Sequence, residues 1–409
     1  MAKEYKDIVV GLDIGTAKIM VVVAEVLPGG DLKLAGLGVA PSNGLKRGVV
    51  VNIDATVASI QQALKEAELM ADCRIMRVYT GITGSHIRGI NSSGMVAIKD
   101  REVSPADVAR VIETAKAINI STDQRLLLVE PQEFIIDGQE VKEPIGMSGI
   151  RLEAKVHIVT GAGSAAENIL KCVRRCGLEV EQLMLNPLAS AQAVLTDDEK
   201  ELGVALVDIG AGTTDVAIFA GGAIRHTAVI PIAGDLITND IAMALRTPTK
   251  DAEDIKVESG CAKQLLADPE QQVEVPGLGD RGPRLLSRQA LAGVIEPRVE
   301  EIFALVQQVI RESGHEELLS SGIVLTGGSA VMPGMVELGE DIFLKPVRRG
   351  VPQYAGVLGD MVAQPRAATV MGLLEEARLA RLRGQKVAQK AGSVGGLLTR
   401  VKEWFVGNF

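Results

Sequence analysis

Two acidic, glycine-rich turns far apart in the chain set the tightest limit on how it can fold. Val9–Lys18 reads VVGLDIGTAK and Ala205–Ala217 reads ALVDIGAGTTDVA. In each, an apolar run typical of a buried strand leads into Asp-Ile-Gly and then threonine. Glycine lacks the Cβ that would block close approach, and it permits positive φ. Successive backbone N–H groups in such a turn form a concavity that binds anions.

The repetition of the turn is more informative than either copy. A tight hairpin alone explains glycine in one turn, but not an aspartate at the same offset in two of them. A third glycine-rich turn, IVLTGGS, follows at Ile323–Ser329. Matching strand–turn–strand starts indicate an internal duplication. The pattern therefore predicts two facing halves with a nucleotide-phosphate site between them.

Each residue type in these turns has an expected role. We expect Asp13 and Asp208 to face a hydrated Mg²⁺, which keeps most of its waters and needs few carboxylates. Lys18 is expected to contact a phosphate oxygen through its ammonium, which acts as a point charge. Walker A and dinucleotide-binding fingerprints are absent, so P-loop and Rossmann folds are not expected. The residues expected to cradle the phosphates are Gly15, Thr16, Gly210, Gly212, Thr213 and Thr214.

Length, charge and cysteine content exclude several classes of protein. A chain of 409 residues exceeds one hydrophobic core, so we expect two or more domains. A net charge of −9 argues against a nucleic-acid partner. Cys172 and Cys176 are one helical turn apart without a histidine nearby, so ordinary thiols are favoured over metal ligands. No signal peptide or membrane-spanning run is visible, which predicts a cytoplasmic protein.

Between the two main glycine turns, the stretch from Ser85 to about Gly161 has a different sequence pattern. Short alternating segments surround one helix, predicted over Pro105–Ala117 from the cap Ser104 and the proline that follows it. No phosphate-binding turn lies inside, so we interpret this stretch as an α+β interaction domain. Later, Ser287–Ser313 is a long amphipathic helical region that Pro297 is expected to kink or restart.

The C-terminal segment differs in composition from the rest of the chain. A final helix is predicted over Ala367–Leu379, and a polar tether then leads to LLTRVKEWFVGNF. Arg378–Phe409 holds seven basic residues and one acid, Glu403. Such a segment is typical of a helix that lies in an anionic membrane interface, although packing on the body or on a partner is the alternative. On a helical wheel Leu397, Leu398, Val401, Trp404 and Phe405 share one face, and Arg400, Lys402 and Glu403 share the other.

The order of these motifs resembles the actin/Hsp70/sugar-kinase ATPase fold. That order is a phosphate turn (Gly11–Lys18), a helix (Asn186–Leu195), a second phosphate turn (Val207–Asp215), an adenosine turn (Gly322–Met335) and a final helix (Ala367–Glu376). With the insertion at 85–162, the segment GDLITNDIA and the amphipathic end, the chain is similar to the FtsA family of bacterial cell-division actin homologues. The expected fold class is α/β, a duplicated ribonuclease H-like, actin-like fold.

The resemblance implies a function and partners. It implies ATP and Mg²⁺ as ligands and polymerisation at the cytoplasmic face of the inner membrane, at the division site. It also implies binding of the FtsZ C-terminal peptide, mainly through residues 230–295, and recruitment of other divisome membrane proteins. A pilus-assembly adaptor or a small-molecule kinase of the same fold is the alternative. The amphipathic end argues against the adaptor, and no clear catalytic aspartate supports the kinase.

The resemblance also assigns site residues. Gly327, Gly328 and Ser329 would line the adenosine pocket. Glu253 and Lys256 alone indicate a surface ion pair at i, i+3, but the resemblance places them on a helix that contacts adenine and ribose. Asn186 stands where hydrolytic relatives have a longer Glu or Gln that positions water, which implies slow hydrolysis.

The implied subdomains alternate along the chain. Residues 1–84, 163–196 and 360–380 form subdomain 1A, and 85–162 form the insertion, subdomain 1C. Residues 197–229 and 296–359 form 2A, and 230–295 form 2B. Residues 381–396 are the expected flexible linker, and 397–409 the membrane-targeting helix.

Overall fold

The computed structural model describes residues 7–279 and 282–391, with side chains as far as residue 384. The predicted amphipathic segment 397–409 lies outside the described residues. The first lobe opens with the strand–turn–strand start that the sequence predicts, and a third antiparallel strand follows it. Its elements are β1 (Ile8–Ile14), β2 (Lys18–Val26), β3 (Leu32–Pro41), the short β4 (Leu45–Lys46) and β5 (Val49–Val50), α1 (Ile53–Ala71) and β6 (Arg77–Ile82).

The insertion follows β6 and is a four-stranded antiparallel sheet covered by one helix. Its helix begins where predicted, because Ser104 and Asp107 form a reciprocal capping box ahead of Pro105. The elements are β7 (Arg88–Ala97), α2 (Pro105–Ala115), β8 (Gln124–Ile136), β9 (Gln139–Val141) and β10 (Arg151–Ala162), in the spatial order β7-β10-β8-β9.

The chain then completes the first lobe. It adds α3 (Gly163–Arg175), β11 (Glu179–Leu185) and α4 (Asn186–Val194). The sheet has the order β11-β6-β1-β2-β3, in which β6 and β11 run parallel to β1. Helices α1 and α3 pack on one face of this sheet and α4 on the other. Both faces are therefore buried, which is why β1 and β2 are continuous apolar runs.

The second lobe repeats this plan. Its sheet has the order β14-β13-β12-β17-β18, again an antiparallel hairpin start extended by parallel strands. The duplication and the fold class predicted from the sequence are confirmed. The elements are α5 (Asp197–Leu202), β12 (Val204–Ile209), β13 (Thr214–Ala220), β14 (Ala223–Ile230), α6 (Gly234–Leu245), α7 (Thr249–Ser259), β15 (Gln272–Val275), β16 (Arg284–Ser287), α8 (Arg288–Glu312), β17 (Ile323–Thr326), α9 (Met335–Phe343), β18 (Val347–Arg349), α10 (Gly359–Val362) and α11 (Ala368–Ala391).

The acidic segment Asp197–Glu201 lies in the short helix α5, which begins with a capping box at Thr196. Two expectations about helices need correction. Pro297 lies inside α8, which continues without a break. Helix α11 does not end at Leu379 but continues to Ala391, so residues 381–391 of the expected linker are helical.

Because α11 extends to Ala391, it includes several of the basic residues counted in the C-terminal segment. Arg378 and Arg383 pair with Glu375 and Glu376 of the same helix. Arg381 lies 3.5 Å from Asp7 and 3.7 Å from Glu181. Three of the seven basic residues are therefore paired with carboxylates, two of them within α11 and one, Arg381, with the rest of the first lobe. No helix among the described residues is long and apolar enough to cross a bilayer.

Candidate functional site

The first two glycine turns meet at the junction of the lobes. A Cβ built on Gly212 would lie 2.6 Å from Thr16 Oγ1 and 2.9 Å from Arg47 Cα. Real Cβ atoms essentially never come this close to such atoms. Thr16 Oγ1 in turn accepts a hydrogen bond of 3.1 Å from the Gly48 N–H. Glycine at 212 is therefore what allows the second turn to approach the first.

Two buried carboxylates stand at the ends of the strands that lead into these turns. Burial raises the pKa of Asp13 to about 6, with Lys18 lowering it and Asp208 raising it further. Burial also raises the pKa of Asp208, against the hydrogen bond of 2.6 Å that Ser190 Oγ donates to its Oδ2. Lys18 is half-buried beside them; desolvation lowers its pKa, although Asp13 raises it, and its ammonium donates to the Arg366 carbonyl.

This donor set fits a hydrated divalent cation. The described residues contain no group of three or more acidic, histidine or cysteine side chains suited to direct metal coordination. Two facing carboxylates that burial penalises in their charged forms are stabilised by a cation between them. Mg²⁺ keeps several waters and needs only one or two protein carboxylates. Asp13 and Asp208 supply two such carboxylates, so they fit an ion held through its waters better than a caged metal site.

A third buried carboxylate, Asp215, was missed in the sequence analysis as a site residue. Thr83 of the first lobe donates to its Oδ1, and Thr213 donates to its Oδ2 at 3.1 Å. Burial and then Asp208 raise the pKa of Asp215 to about 7. Asp215 could have been found from its position near the start of β13, where it pairs with Asp208 on β12. Asp215 thus connects the two lobes inside the site.

The third glycine turn packs against the second. Gly327 has φ of +88°, and a Cβ there would lie 2.4 Å from Asp208 Oδ1. Ser329 Oγ donates to the Gly210 carbonyl at 2.9 Å. Open space surrounds the Cα of Gly328, since no atom lies within 4 Å of a Cβ built there. The structure therefore brings the turn at 327–329 beside the second glycine turn.

Glu253 and Lys256 reach this cluster from helix α7. Lys256 Nζ donates to Glu253 Oε2 at 2.6 Å, to Thr238 Oγ1 at 2.8 Å and to the Gly234 carbonyl at 3.2 Å. Its side chain is only 9% exposed, whereas that of Glu253 is 44% exposed. Gly234 also touches Ser329, because a Cβ there would lie 2.6 Å from Ser329 Oγ. Lys256 is thus a buried link to the turns, whereas its partner Glu253 is partly exposed.

Asn186 is the first residue of α4, one turn before Ser190. Its Oδ1 is buried, has no hydrogen-bond partner in the described part of the chain, and lies 2.1 Å from where a Gly81 Cβ would be. Gly81 belongs to β6, the neighbour of β1. No described hydrogen bond joins Asn186 to the glycine turns, in contrast to Ser190, which bonds Asp208.

A separate cavity of about 390 Å³ lies where the first lobe, the insertion and the second lobe meet. Its lining includes Leu127 and Glu130 of β8, Phe219 of β13 and Glu376 of α11, and none of the expected phosphate-binding residues. Burial, and then Glu376, raise the pKa of Glu130 to about 8, although Arg383 lowers it. This cavity is distinct from the cluster of glycine turns.

Comparison with known proteins identifies the family. The model of the family described as Cell division protein FtsA matches residues 205–372, and that of the SHS2 domain inserted in FTSA matches residues 84–160. A curated relative from Pseudomonas aeruginosa, named Cell division protein FtsA, is 56% identical over 408 residues and covers 98% of each chain. This chain belongs to the FtsA family. The Escherichia coli K12 protein of that name is 45% identical over 409 residues, covering 98% of this chain and 97% of its own.

Solved structures agree with an actin-like fold for this FtsA-family chain. A PilM-PilN type IV pilus biogenesis complex has a TM-score of 0.65 at 18% identity, covering 89% of this chain and 97% of the other. MreB5 of Spiroplasma citri bound to ADP has a TM-score of 0.55 at 15% identity, covering 95% and 99%. The same protein bound to AMPPNP has a TM-score of 0.56, also at 15% identity, covering 94% and 99%.

Proposed function

We propose that this FtsA-family chain binds Mg-ATP between its two lobes and works as a cell-division adaptor beneath the cytoplasmic membrane. The observation that carries the nucleotide part is the meeting of three glycine turns around two buried aspartates. MreB5, which shares the fold, has been solved with ADP and with AMPPNP. The backbones at Gly15–Thr16 and Gly212–Thr214 would hold the phosphates, and the turn at 327–329 with Glu253 and Lys256 would hold the nucleoside.

The aspartates would hold Mg²⁺ through its waters, and the ion would neutralise phosphate charge. Calorimetric titration with Mg-ATP tests this arrangement. We expect saturable binding by the wild type and loss of binding in Asp13→Asn and Asp208→Asn. Both variants should fold, because burial already disfavours the charged form of each carboxyl. Asp198→Asn on the exposed side of α5 is the control, and a flat wild-type titration would refute the site.

We further propose that ATP acts mainly as a ligand for conformation and polymerisation, with slow hydrolysis. Asn186 is shorter than the Glu or Gln expected at a water-positioning place, and such geometry tolerates little displacement. Phosphate release by purified protein should proceed far below the roughly 1 per second at the lower end of ordinary enzymes. Rapid, Mg²⁺-dependent release would contradict this proposal.

Attachment to the inner membrane would come from the end of the chain. The apolar face with Leu397, Val401 and Trp404 would enter the lipid, and Arg400 and Lys402 would meet anionic headgroups. Liposome co-sedimentation with and without residues 394–409 tests this. Trp404→Glu should abolish lipid binding and leave ATP affinity intact, whereas an equal loss of both would contradict a separate tail.

One protein partner would bind the second lobe, and copies of this chain would bind one another. In the segment 230–295, the large apolar side chains Leu265, Leu266 and Leu285 are exposed, and exposed apolar surface is characteristic of interaction sites. This surface would take the FtsZ C-terminal peptide. Leu285→Glu should weaken binding of that labelled peptide at least tenfold, and an unchanged affinity would reject this surface.

Filaments on a lipid monolayer with ATP, seen by electron microscopy, would demonstrate polymerisation, and their absence would count against it. Recruitment of later divisome membrane proteins would then follow from the assembled array. The division site at the cytoplasmic face of the inner membrane is the expected location.

A further inference from the structure

The described chain ends at one particular edge of the first lobe. The strands β1, β6 and β11 are parallel, so Ile8, Arg77 and Glu179 begin at the same edge of the sheet. Helix α11 runs towards that edge, because Val370 packs on Gly11 in the middle of β1 whereas Arg381 pairs with Asp7. We call this side the strand-start edge. Residues 392–409 therefore continue from a helix that has already reached it.

Exposed apolar side chains cluster on the strand-start edge. Helix α1 ends there, and the loop after it enters β6. Leu69 is 83% exposed, Met76 is 55% exposed and Met70 is 48% exposed. Single exposed apolar residues need no explanation, but three of them between residues 69 and 76, at one end of a domain, mark a surface that meets something apolar.

A basic groove lies beside these residues. It has a volume of about 180 Å³ and runs between the end of α1 and the turn from α3 to β11, with Gln61, Lys65, Glu68, Arg74, Cys176 and Gly177 in its lining. Glu68 uses its carboxylate to accept the Ile75 N–H at 2.8 Å. Neither Lys65 nor Arg74 forms an ion pair with any residue in 7–279 or 282–384.

We propose that the strand-start edge is a second membrane contact and that the groove binds the headgroup of an anionic phospholipid. Lys65 and Arg74 would meet the lipid phosphate, and Leu69, Met70 and Met76 would enter the boundary of the acyl chains. Cations beside apolar side chains are the composition that an anionic bilayer interface selects. The exposed acids Asp7, Asp72 and Glu179 also lie at this edge, and none of them is among the residues that line the groove.

The place where the described chain ends favours lipid over a soluble partner. This inference rests on the proposed function, in which residues 397–409 bind the membrane. A tail that enters the bilayer from this edge holds the edge close to the lipid, so the second contact forms at high effective concentration. The body would then lie on the membrane in one orientation instead of swinging on its tail.

The test uses the full chain and vesicles of phosphatidylcholine with one-third phosphatidylglycerol. Each basic contact near an anionic surface contributes about 1 kcal/mol, or about fivefold in affinity, so Lys65→Glu with Arg74→Glu should bind about thirtyfold more weakly. The control Arg125→Glu with Lys250→Glu makes the same change of net charge at exposed positions elsewhere and should bind nearly as the wild type. Leu69→Ser with Met76→Ser removes only apolar contact and should also weaken binding.

The outcomes separate this inference from the tail. If the wild type does not sediment with vesicles, the proposed tail function fails and this inference fails with it. If the wild type binds and loss of residues 394–409 abolishes binding, but the Lys65/Arg74 variant equals its control, the tail stands and this inference is overturned. A Lys65/Arg74 variant that binds vesicles normally but no longer self-associates would assign the edge to a second copy and would also overturn it. ATP affinity, unchanged in every variant, verifies folding.

Discussion

At the scale of single residues, Gly212→Ala tests the close approach of the two phosphate turns. The added methyl would lie 2.6 Å from Thr16 Oγ1 and 2.9 Å from backbone at Arg47, so one lobe must shift. Overpacking of this kind costs about 1–3 kcal/mol. We expect that loss in the free energy of unfolding by chemical denaturation, together with at least tenfold weaker Mg-ATP binding.

Gly163→Ala is the matched control for this substitution. The nearest atom to a Cβ at Gly163 is the Asp123 carbonyl oxygen at 3.5 Å, an ordinary contact, and the residue begins helix α3. Its stability should stay near that of the wild type. If Gly212→Ala behaves like Gly163→Ala, the turns are less closely opposed than the structure places them.

Glu130 provides a test by pH. Burial and Glu376 raise its pKa to about 8 in the folded protein, from 4.5 when exposed. The folded state then binds more protons than the unfolded state between these values, so the stabilising effect is complete below pH 4.5 and is lost as pH rises towards 8. Glu130→Gln has no carboxyl at this position, so it does not lose stability in this way as pH rises. Its melting temperature should rise relative to the wild type by a few degrees between pH 5 and pH 8.

The exposed Glu140 on β9 supplies the control for that comparison. Glu140→Gln should follow the wild-type melting curve at every pH between 5 and 8. A constant difference between Glu130→Gln and the wild type over the same range would show that Glu130 is not desolvated in the folded protein.

At the scale of elements, the sequence predicted those features that depend on local chemistry. The hairpin of β1 and β2, the cap of α2 and the acidic turn before β13 follow from glycine, proline and capping residues close in sequence. The glycine turns of the site were predicted for the same reason. Asp215, Thr83 and Thr238 were missed, because their roles come from partners far away in the chain.

The end of α11 shows what local pattern does not reveal. Its residues after Leu379 lack an apolar stripe, which suggested a tether, but Arg381 and Arg383 bind carboxylates of the body and of the previous turns. Long-range charge pairing thus extends the helix where composition alone suggests that it ends. The membrane-binding segment would begin from this anchored helix.

Arg381→Ala tests the anchor. Because exposed ion pairs contribute about 0.2–1 kcal/mol, loss of the contacts to Asp7 and Glu181 should speed hydrogen exchange at the end of α11 by up to about fivefold. Mass spectrometry of peptides covering residues 378–391 would measure this. Arg311→Ala in the last turn of α8 is the control and should leave those peptides unchanged. Equal exchange in both variants would mean that the pairs do not hold the helix.

At the scale of the whole molecule, the insertion is connected in sequence to the first lobe, but it also contacts the second lobe. His157 of β10 places Nδ1 2.6 Å from Asn91 Oδ1 and Nε2 2.8 Å from Thr227 Oγ1 of β14. Gln132 donates to the Ile224 carbonyl at 2.8 Å, and Arg225 pairs with Glu133. The insertion thus adds a connection between the two lobes to the one through the site. Opening the site would stretch this second connection.

Thr227→Val tests whether the connection through the insertion controls opening. Valine keeps the shape but leaves His157 Nε2 buried without a partner, which costs about 1–3 kcal/mol. Burial lowers the pKa of His157 to about 4, so the ring stays neutral and cannot regain a charge-assisted bond near pH 7. Since the closed arrangement loses that energy, a fluorescent ATP analogue should dissociate at least fivefold faster. Thr114→Val, at an exposed position on α2, should release it at the wild-type rate. Equal rates in the two variants would mean that the lobes open without breaking the contact between the insertion and β14.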